Sequence, residues 1–315
     1  MSLLPPDAPT AVTSEPVVPK RKRLSIPIGP KIALGVVFLF ILAALFATQI
    51  APSDPTNLAS FDLMNAELPP AFMPGGDSAY WLGTDNQGRD LLSTILYGLR
   101  VSIAIGASAV LLAMTTGVLL GVLAGYLGGW VDVVIMRIAD VILSLPTILM
   151  ALLVSGIARA IWPEAAGPQW APFILVGAIA LNEWVVYARV ARAALLVEVR
   201  KDYVRAAQVI GFPAVRIMWR HVLPNILSPI MVIATVNLAA AILTEASLSF
   251  LGVGMPPTYP SLGTLVRIGN EYVLSGIWWI VVLPALTLVI LILSVNIVGD
   301  WLRDRLNPKL GQRHE

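Results

Sequence analysis

The sequence has no cysteine and only two histidines, His221 and His314, among its 315 residues. The absence of cysteine excludes a disulfide-stabilised scaffold and any chemistry that needs a thiol. Two isolated histidines cannot form a Cys/His zinc cluster, and no H-E-x-x-H pattern is present. We therefore predict that the chain holds no metal ion, and we interpret His221 as a surface residue of a loop rather than a ligand.

Charged residues are also scarce, at 13% of the chain, whereas soluble domains have about a quarter. The phosphate-binding pattern G-x-x-x-x-G-K-[ST] is absent, so the sequence contains no P-loop to hold a nucleotide. With both histidines predicted away from any pocket, no Ser–His–Asp arrangement can be assembled. We therefore expect no catalytic residue, no enzymatic activity and no cofactor in this chain.

Apolar residues dominate instead, at 57% of the chain, and the mean hydropathy is +0.80. About 20 apolar residues in a helix cross the hydrocarbon core of a bilayer. Six runs meet this length: Ile32 to Ile50, Val101 to Leu127, Val133 to Ile157, Ala171 to Val190, Ile226 to Leu251 and Ile277 to Val298. The alternating pattern of membrane strands is absent. The predicted fold class is an all-α integral membrane protein with six transmembrane helices.

The distribution of basic residues predicts the orientation of these helices. If the N-terminus lies inside, the inner segments hold 17 of the 21 lysines and arginines, and the outer segments hold four. This bias predicts that the N- and C-termini are both cytoplasmic. A basic cluster at residues 20–23 precedes the first run, as in a signal peptide, but the run is too long for a signal core. We interpret it as an uncleaved first span.

The runs divide the chain into successive parts. The parts are a disordered cytoplasmic tail at 1–30, the first transmembrane helix at 31–50, an extracytoplasmic segment at 51–98, a core of five transmembrane helices at 99–300 and a cytoplasmic tail at 301–315. The core includes one long inner loop, residues 192–224. The connections between the second and third runs and between the third and fourth runs are short.

The inner loop contains the small-residue stretch YVRAAQVIGF, residues 203–212. Asp202 is suited to the N-cap of a helix, and Gly211 to the left-handed position after its C-terminus. Pro213 blocks continuation. These signals predict a helix from Tyr203 to Ile210, followed by a second short helix that ends before Pro224.

One stripe of this helix is unusually flat. It consists of residues at i, i+3, i+4 and i+7, namely Tyr203, Ala206, Ala207 and Ile210. So short a helix is unstable alone and must pack against something. We favour docking on a partner, since the alternative, a helix lying on the membrane surface, would have larger apolar residues and a lysine-rich face.

The stretch RAAQVIGFPAVRIMWRHVLPN resembles the EAA loop of ABC-importer permease subunits. The positions that match its pattern are Ala206, Ala207, Gly211, Leu223 and Pro224. Arg205 departs from it, because the family has glutamate there. In that family this loop forms the coupling helix that sits in a groove of the ATP-binding subunit. The resemblance implies an ATPase-coupling surface formed by Tyr203, Arg205, Ala206, Ala207, Ile210, Gly211 and Pro224.

Two further stretches are similar to the dipeptide, oligopeptide and nickel branch of these permeases. They are WLGTDNQGRDLLSTILYGLRVSI at 81–103 and EASLSFLGVGMPP at 245–257, and the tail GDWLRDRLNPKL at 299–310 also resembles this branch. The long segment after the first span is typical of the C-type permease of the pair. The resemblance implies the type I ABC-importer permease fold in the cytoplasmic (inner) membrane.

The same resemblance implies the function and the partners. The chain would form half of the path for di- or oligopeptides delivered by an extracytoplasmic binding protein, with nickel complexes, glutathione or opines as alternative cargos. A homologous second permease would complete a heterodimer, two ABC ATPase subunits would bind ATP and Mg²⁺, and lipid would surround the spans; no nucleic acid is expected. Two alternatives stay open: an ATP-independent secondary transporter or channel, and a membrane scaffold that transports nothing.

Two acidic residues, Glu183 and Glu245, interrupt the apolar runs. Ionisable residues inside a membrane are costly and usually face a bundle interior or a water-filled cavity. The candidates for the translocation path are Glu183, Asn237, Ala241, Thr244 and Glu245. A polar clamp between helices is an equal alternative.

Two other patterns have mainly structural interpretations. Gly117, Gly121 and Gly125 form overlapping G-x-x-x-G steps, which permit close helix packing either within this chain or against a second permease. The stretch GTDNQGRD, residues 83–90, lacks most of the ligand spacing of a calcium loop. We predict a turn in which Asp90 caps the next helix.

Overall fold

The computed structural model describes residues 27–57, 61–161 and 167–306, so most of both predicted tails lies outside the described residues. The described chain is helical, and its one β-bridge joins Thr84 to Asp90. The helices are α1 Ile28–Leu45, α2 Ala47–Ile50, α3 Leu91–Leu127, α4 Gly129–Leu143, α5 Thr147–Ile161, α6 Ala171–Glu198, α7 Asp202–Val209, α8 Ala214–Ile217, α9 Leu223–Phe250, α10 Leu262–Asn270 and α11 Trp279–Leu306.

Five helices in this part of the chain are long and apolar enough to cross a membrane: α1, α3, α6, α11 and the continuous helix Ala214–Phe250. A sixth candidate is the pair α4 and α5, which is bent by 99°. The run from Val133 to Ile157, predicted as one helix, is therefore broken around Pro146. Proline lacks the N–H that a continuous helix needs and disfavours helical geometry in the residue before it.

Helices α3 and α6 pack closely against each other along the predicted glycine stripe. A β-carbon on Gly117 would overlap the Trp184 carbonyl, and one on Gly121 would overlap the backbone of Ala188. A β-carbon on Gly125 would lie 2.8 Å from a side-chain carbon of Leu195. The stripe thus packs within this chain, and α3 and α6 run in the same direction along their contact.

A folded cap closes one end of the bundle. We define the cap as residues 51–57, 61–90 and 251–278. Arg89, buried within it, donates from Nε to the Asp85 carboxylate at 2.7 Å and from Nη1 to the Pro257 carbonyl at 3.0 Å. These bonds fasten the segment before α3 to the segment after α9. The part of the cap at residues 51–57 and 61–90 is loop-like, as predicted for the segment that follows the first span, whereas the part at 251–278 includes α10.

Asp90 caps α3, as predicted for the stretch GTDNQGRD. Its carboxylate accepts a hydrogen bond from the Ser93 N–H at 2.8 Å, and α3 begins at the next residue, Leu91. Capping at this point starts the helix ten residues before the predicted boundary at Val101. Asp85, the other acidic residue of the turn, forms its salt bridge with Arg89.

The connection from α6 to α9 lies at the opposite end of the bundle, which we call the loop end. Because α1 runs toward the cap and α11 runs away from it, Ile28 and Leu306 also lie at the loop end. Both helices extend past the predicted boundaries at residues 31 and 300. The described ends of the chain and the inner loop are thus on one side of the bundle.

Candidate coupling surface and translocation path

The short helix α7 has the C-terminal end that the sequence predicts. Gly211 adopts a left-handed conformation with φ of 88°. Its N–H donates to the Gln208 carbonyl at 3.0 Å, and the Phe212 N–H donates to the Ala207 carbonyl at 3.1 Å. This pair of bonds is a Schellman motif, which satisfies carbonyls that the helix end would leave unpaired. The prediction for Gly211 is confirmed.

The other end of α7 differs from the prediction. Asp202 is the first helical residue rather than the N-cap, and Lys201 occupies the cap position without a side-chain hydrogen bond. The carboxylate of Asp202 still lies in the first turn, where the helix dipole favours negative charge. The helix is thus shifted by one residue relative to the predicted range.

The predicted stripe does not form one exposed face. Ala207 is only 8% exposed and packs inward with Val204, whereas Ala206 is exposed and Ile210 is 72% exposed. The inward pair belongs to a buried cluster with Leu195, Ile217, Val222 and Ile226. Placing Ala207 on the docking face was therefore wrong, since the i, i+3 pair Val204 and Ala207 anchors α7 to the bundle.

An exposed apolar patch with arginines remains at the loop end, and we call it the coupling surface. Its apolar members are Ala206, Val209, Ile210, Phe212, Val215 and Trp219. Its arginines are Arg205, Arg216 and Arg220, all exposed, and Arg216 lies over the Phe212 ring at 5.8 Å. Aromatic and apolar residues combined with arginine are typical of protein interfaces. Gly211 and Pro224 are also exposed, and Tyr203 is exposed at 37%.

The second short helix does not end before Pro224, so that prediction is wrong. A π turn, Met218–Val222, joins α8 to α9, and the helix continues to Phe250. In this turn the Leu223 N–H donates to the Met218 carbonyl, five residues back. The wider turn changes which carbonyls accept hydrogen bonds just before Pro224, a residue that has no N–H to donate. The coupling surface is therefore continuous with a membrane-spanning helix.

A hydrogen-bond network under α7 involves residues that the sequence did not single out, Glu198 and Asn225. Glu198, at the end of α6, accepts from the Tyr203 hydroxyl at 2.7 Å and from the Asn225 amide at 3.1 Å. Lys201 donates to the other carboxylate oxygen at 2.7 Å. Burial and the bond to Glu198 raise the pKa of the Tyr203 hydroxyl, which therefore stays protonated as a donor. The sequence did contain a signal for this network, namely the acidic residue Glu198 shortly before the short helix α7.

Two of the predicted path residues meet in the bundle. The Asn237 amide on α9 donates to the Glu183 carboxylate on α6 at 3.2 Å, and both side chains are half-buried. Each lies near the middle of a 28-residue helix. The buried Tyr187 hydroxyl lies beside them and, among the described residues, has no hydrogen bond of good geometry. The bundle thus has a polar group at mid-depth.

Glu245 and Ala241, by contrast, are sealed inside the chain. The Glu245 carboxylate accepts from the Ser102 hydroxyl at 2.8 Å and the Ser249 hydroxyl at 2.7 Å. Ser102 in turn accepts from the Leu262 N–H at 3.2 Å. Both Glu245 and Ala241 have no exposed surface, while Thr244 is half-buried. For Glu245 the geometry favours the alternative of a polar clamp, which here joins α3, α9 and α10.

Comparison with protein-family models gives one match. Residues 117–312 match the model described as "Binding-protein-dependent transport system inner membrane component". The matched range includes the glycine stripe, the coupling surface and the Glu183–Asn237 pair. It covers more than half of the chain.

Curated relatives extend the similarity over most of the sequence. A di/tripeptide transport system permease protein of Pseudomonas aeruginosa is 37% identical over 278 residues, which cover 88% of this chain and 87% of the relative. Dipeptide transport system permease proteins of Haemophilus influenzae and Escherichia coli K12 are both 40% identical. They cover 89% and 90% of this chain, and 90% of each relative.

A solved structure shares the fold. A chain of the MetNI methionine ABC transporter in an inward-facing conformation aligns with a TM-score of 0.53 and 20% identity. The alignment covers 69% of this chain and 98% of that chain. A second crystal form of the same transporter aligns with a TM-score of 0.54. At this identity the similarity concerns the fold alone.

Proposed function

Because this chain belongs to the family of binding-protein-dependent transport system inner membrane components, we propose that it forms half of the translocation path of an ATP-driven importer of di- or oligopeptides. The chain is a multi-pass protein of the inner membrane. Support for peptide cargo comes from relatives of 37% to 40% identity that are named for dipeptide or di/tripeptide transport. The importer couples uptake to ATP hydrolysed by other subunits.

The proposed complex contains four further subunits. A homologous permease completes a heterodimer, two ABC ATPases dock at the loop end, and a binding protein delivers cargo at the cap. We place ATP and Mg²⁺ on the ATPase subunits, which agrees with the lack of a P-loop pattern in this sequence. The exposed coupling surface, which combines apolar residues with three arginines, is the single observation that carries the ATPase assignment.

The proposed path passes Glu183 and Asn237. A peptide carries charged termini and amide groups, which must find polar partners when they leave water. The half-buried Glu183 carboxylate and Asn237 amide offer such partners at mid-depth of a largely apolar bundle. Closure of the ATPase dimer moves α7, the helices open toward the binding protein, and the released peptide enters the path.

The exposed residue Ile210, the C-cap of α7, provides the test of the ATPase assignment. Ile210→Asp places a charge in the coupling surface without disturbing the buried side of α7, because Ile210 is 72% exposed. Leu63→Asp is the matched control, since Leu63 is 73% exposed but lies in the cap. We expect Ile210→Asp to lose co-purifying ATPase subunits and uptake, and Leu63→Asp to keep its ATPase subunits. Normal ATPase retention in Ile210→Asp would contradict the assignment.

A transport assay separates the proposal from its rivals. Proteoliposomes containing the complete complex should import a labelled dipeptide only with ATP and the binding protein. Import by this chain alone would instead support a channel or secondary transporter. Mass spectrometry of the ligand retained by the co-purified binding protein then identifies the cargo, and a nickel complex, glutathione or an opine there would replace the peptide assignment.

A further inference from the structure

We propose that Glu198, Tyr203 and Asn225 form a latch that passes the movement of α7 into the membrane-spanning helices α6 and α9. This inference rests on the proposed function, in which docked ATPase subunits move α7. Each of the three residues belongs to a different helix. Glu198 ends α6, Tyr203 lies in the first turn of α7, and Asn225 lies in the first turn of α9.

The bonds of the latch converge on one carboxylate oxygen. Glu198 Oε1 accepts from both the Tyr203 hydroxyl and the Asn225 amide, and the Asn225 amide also lies 3.2 Å from the Tyr203 oxygen. Glu198 is only 7% exposed, so the accepting carboxylate is shielded from water, although the Tyr203 and Asn225 side chains that donate to it are exposed. Hydrogen bonds to a charged group are short and directional. A displacement of the Tyr203 hydroxyl is therefore transmitted to its hydrogen-bonded partners on α6 and α9.

The apolar packing beneath α7 does not fix the orientation of α7 in the way that these hydrogen bonds do. Val204 and Ala207 contact an apolar cluster, and apolar contacts are non-directional. Such a cluster holds α7 against the bundle but fixes its rotation and register weakly. The directional bonds from Tyr203 set the register of α7 relative to α6 and α9.

Two residues of the latch also contact the π turn that precedes α9. The Asn225 amide donates to the His221 carbonyl at 2.9 Å, and the Tyr203 hydroxyl lies 3.4 Å from the same oxygen. A π turn shifts hydrogen bonds from i−4 to i−5, and such turns often occur at functional sites. The latch thus acts on the part of Ala214–Phe250 where the hydrogen-bond register changes. Movement of α7 reaches α9 through this turn and α6 through Glu198.

Lys201 is not part of the transmission. Its bond to Glu198 connects residues three apart, and its side chain is 52% exposed. An ion pair of this kind contributes little and is screened by salt. Lys201→Gln is therefore a control that removes a contact to the same carboxylate without separating the three helices.

The experiment measures coupling in the complete complex, reconstituted in proteoliposomes with its ATPase subunits and binding protein. The variants are Tyr203→Phe, which removes one hydroxyl, and Asn225→Ala. The measured quantity is the number of ATP molecules hydrolysed per labelled dipeptide imported. A smaller amount of folded complex lowers both rates and leaves this ratio unchanged, whereas a broken latch raises it.

We expect both variants to retain their ATPase subunits and to raise the ratio at least threefold, and Lys201→Gln to keep the unmodified ratio. The double variant Tyr203→Phe/Asn225→Ala should raise the ratio less than the product of the single effects, because both residues act through Glu198. An unmodified ratio in Tyr203→Phe would overturn the latch alone. Absence of ATP-dependent import by the unmodified complex would overturn the proposed function, and the latch with it.

Discussion

At the scale of single residues, the buried side chain of Arg89 connects two segments of the cap. It joins the segment before α3 to Pro257 and has almost no exposed surface. Removing one member of a buried ion pair leaves an uncompensated charge, which costs about 3–5 kcal/mol. We expect Arg89→Met to lower the free energy of unfolding by that amount, measured as a shift in thermal unfolding in detergent.

Arg267→Met is the control for this prediction. Arg267 is paired with Glu271 at 3.8 Å, and both side chains are partly exposed. Pairs of this kind contribute about 0–1 kcal/mol, so the unfolding temperature should hardly change. Equal shifts for the two variants would show that the buried pair has no special role in the cap.

Two variants of Glu245 distinguish a role in the polar clamp from a role in the translocation path. Glu245→Gln keeps a side chain that can bond Ser102 and Ser249, whereas Glu245→Ala leaves both hydroxyls without this partner. We expect Glu245→Ala to lose about 1–3 kcal/mol of stability and Glu245→Gln to retain both stability and transport. A transport defect in Glu245→Gln at unchanged thermal stability would instead support a role in the path.

At the scale of elements, the left-handed residue that ends α7 restricts which side chains the coupling surface accepts at position 211. A β-carbon on Gly211 would contact nothing within 4 Å, so its φ of 88° is what restricts substitution. A left-handed conformation costs a non-glycine residue about 1–2 kcal/mol, and asparagine tolerates it best. We expect Gly211→Asn to retain the most co-purifying ATPase, Gly211→Ala to retain less and Gly211→Val to retain the least.

Gly156→Ala is the matched control for that series. Gly156 lies inside α5 and also has open space around its β-position, but its φ is not positive. The substitution should leave ATPase co-purification unchanged. If Gly211→Val behaved like Gly156→Ala, the Schellman motif would not be needed to present α7.

Elements whose ends depend on local chemistry were predictable from the sequence. Asp90 starts α3 and Gly211 ends α7, because a cap acts within a few residues of the chain. The inward turn of Ala207 was not predictable, because it depends on contacts with residues on α6 and α9. The π turn belongs to the same class: Pro224 indicates a break, but tertiary packing lets the helix continue.

For the whole molecule, the sequence predicted five of the spans and the kind of residue at mid-depth, but neither the 99° bend in the sixth candidate nor the pairing of the mid-depth residues. Glu183 and Asn237 are 54 positions apart, and only the folded bundle shows that they share a hydrogen bond while Glu245 does not join them. Hydropathy reports whether a helix is apolar, not which side faces a neighbour. Burial by other helices decides which ionisable groups remain available to cargo.

The whole complex yields a prediction about charge at the loop end. The coupling surface carries three exposed arginines, and exposed charges attract oppositely charged groups of a partner in a salt-dependent manner. We expect Arg205→Glu to weaken binding of the ATPase subunits about threefold to tenfold at low salt, equivalent to about 0.7–1.4 kcal/mol. The difference should shrink as ionic strength rises. Arg303→Glu, an exposed change at the same end but outside the coupling surface, should bind normally; equal weakening would assign the effect to net charge.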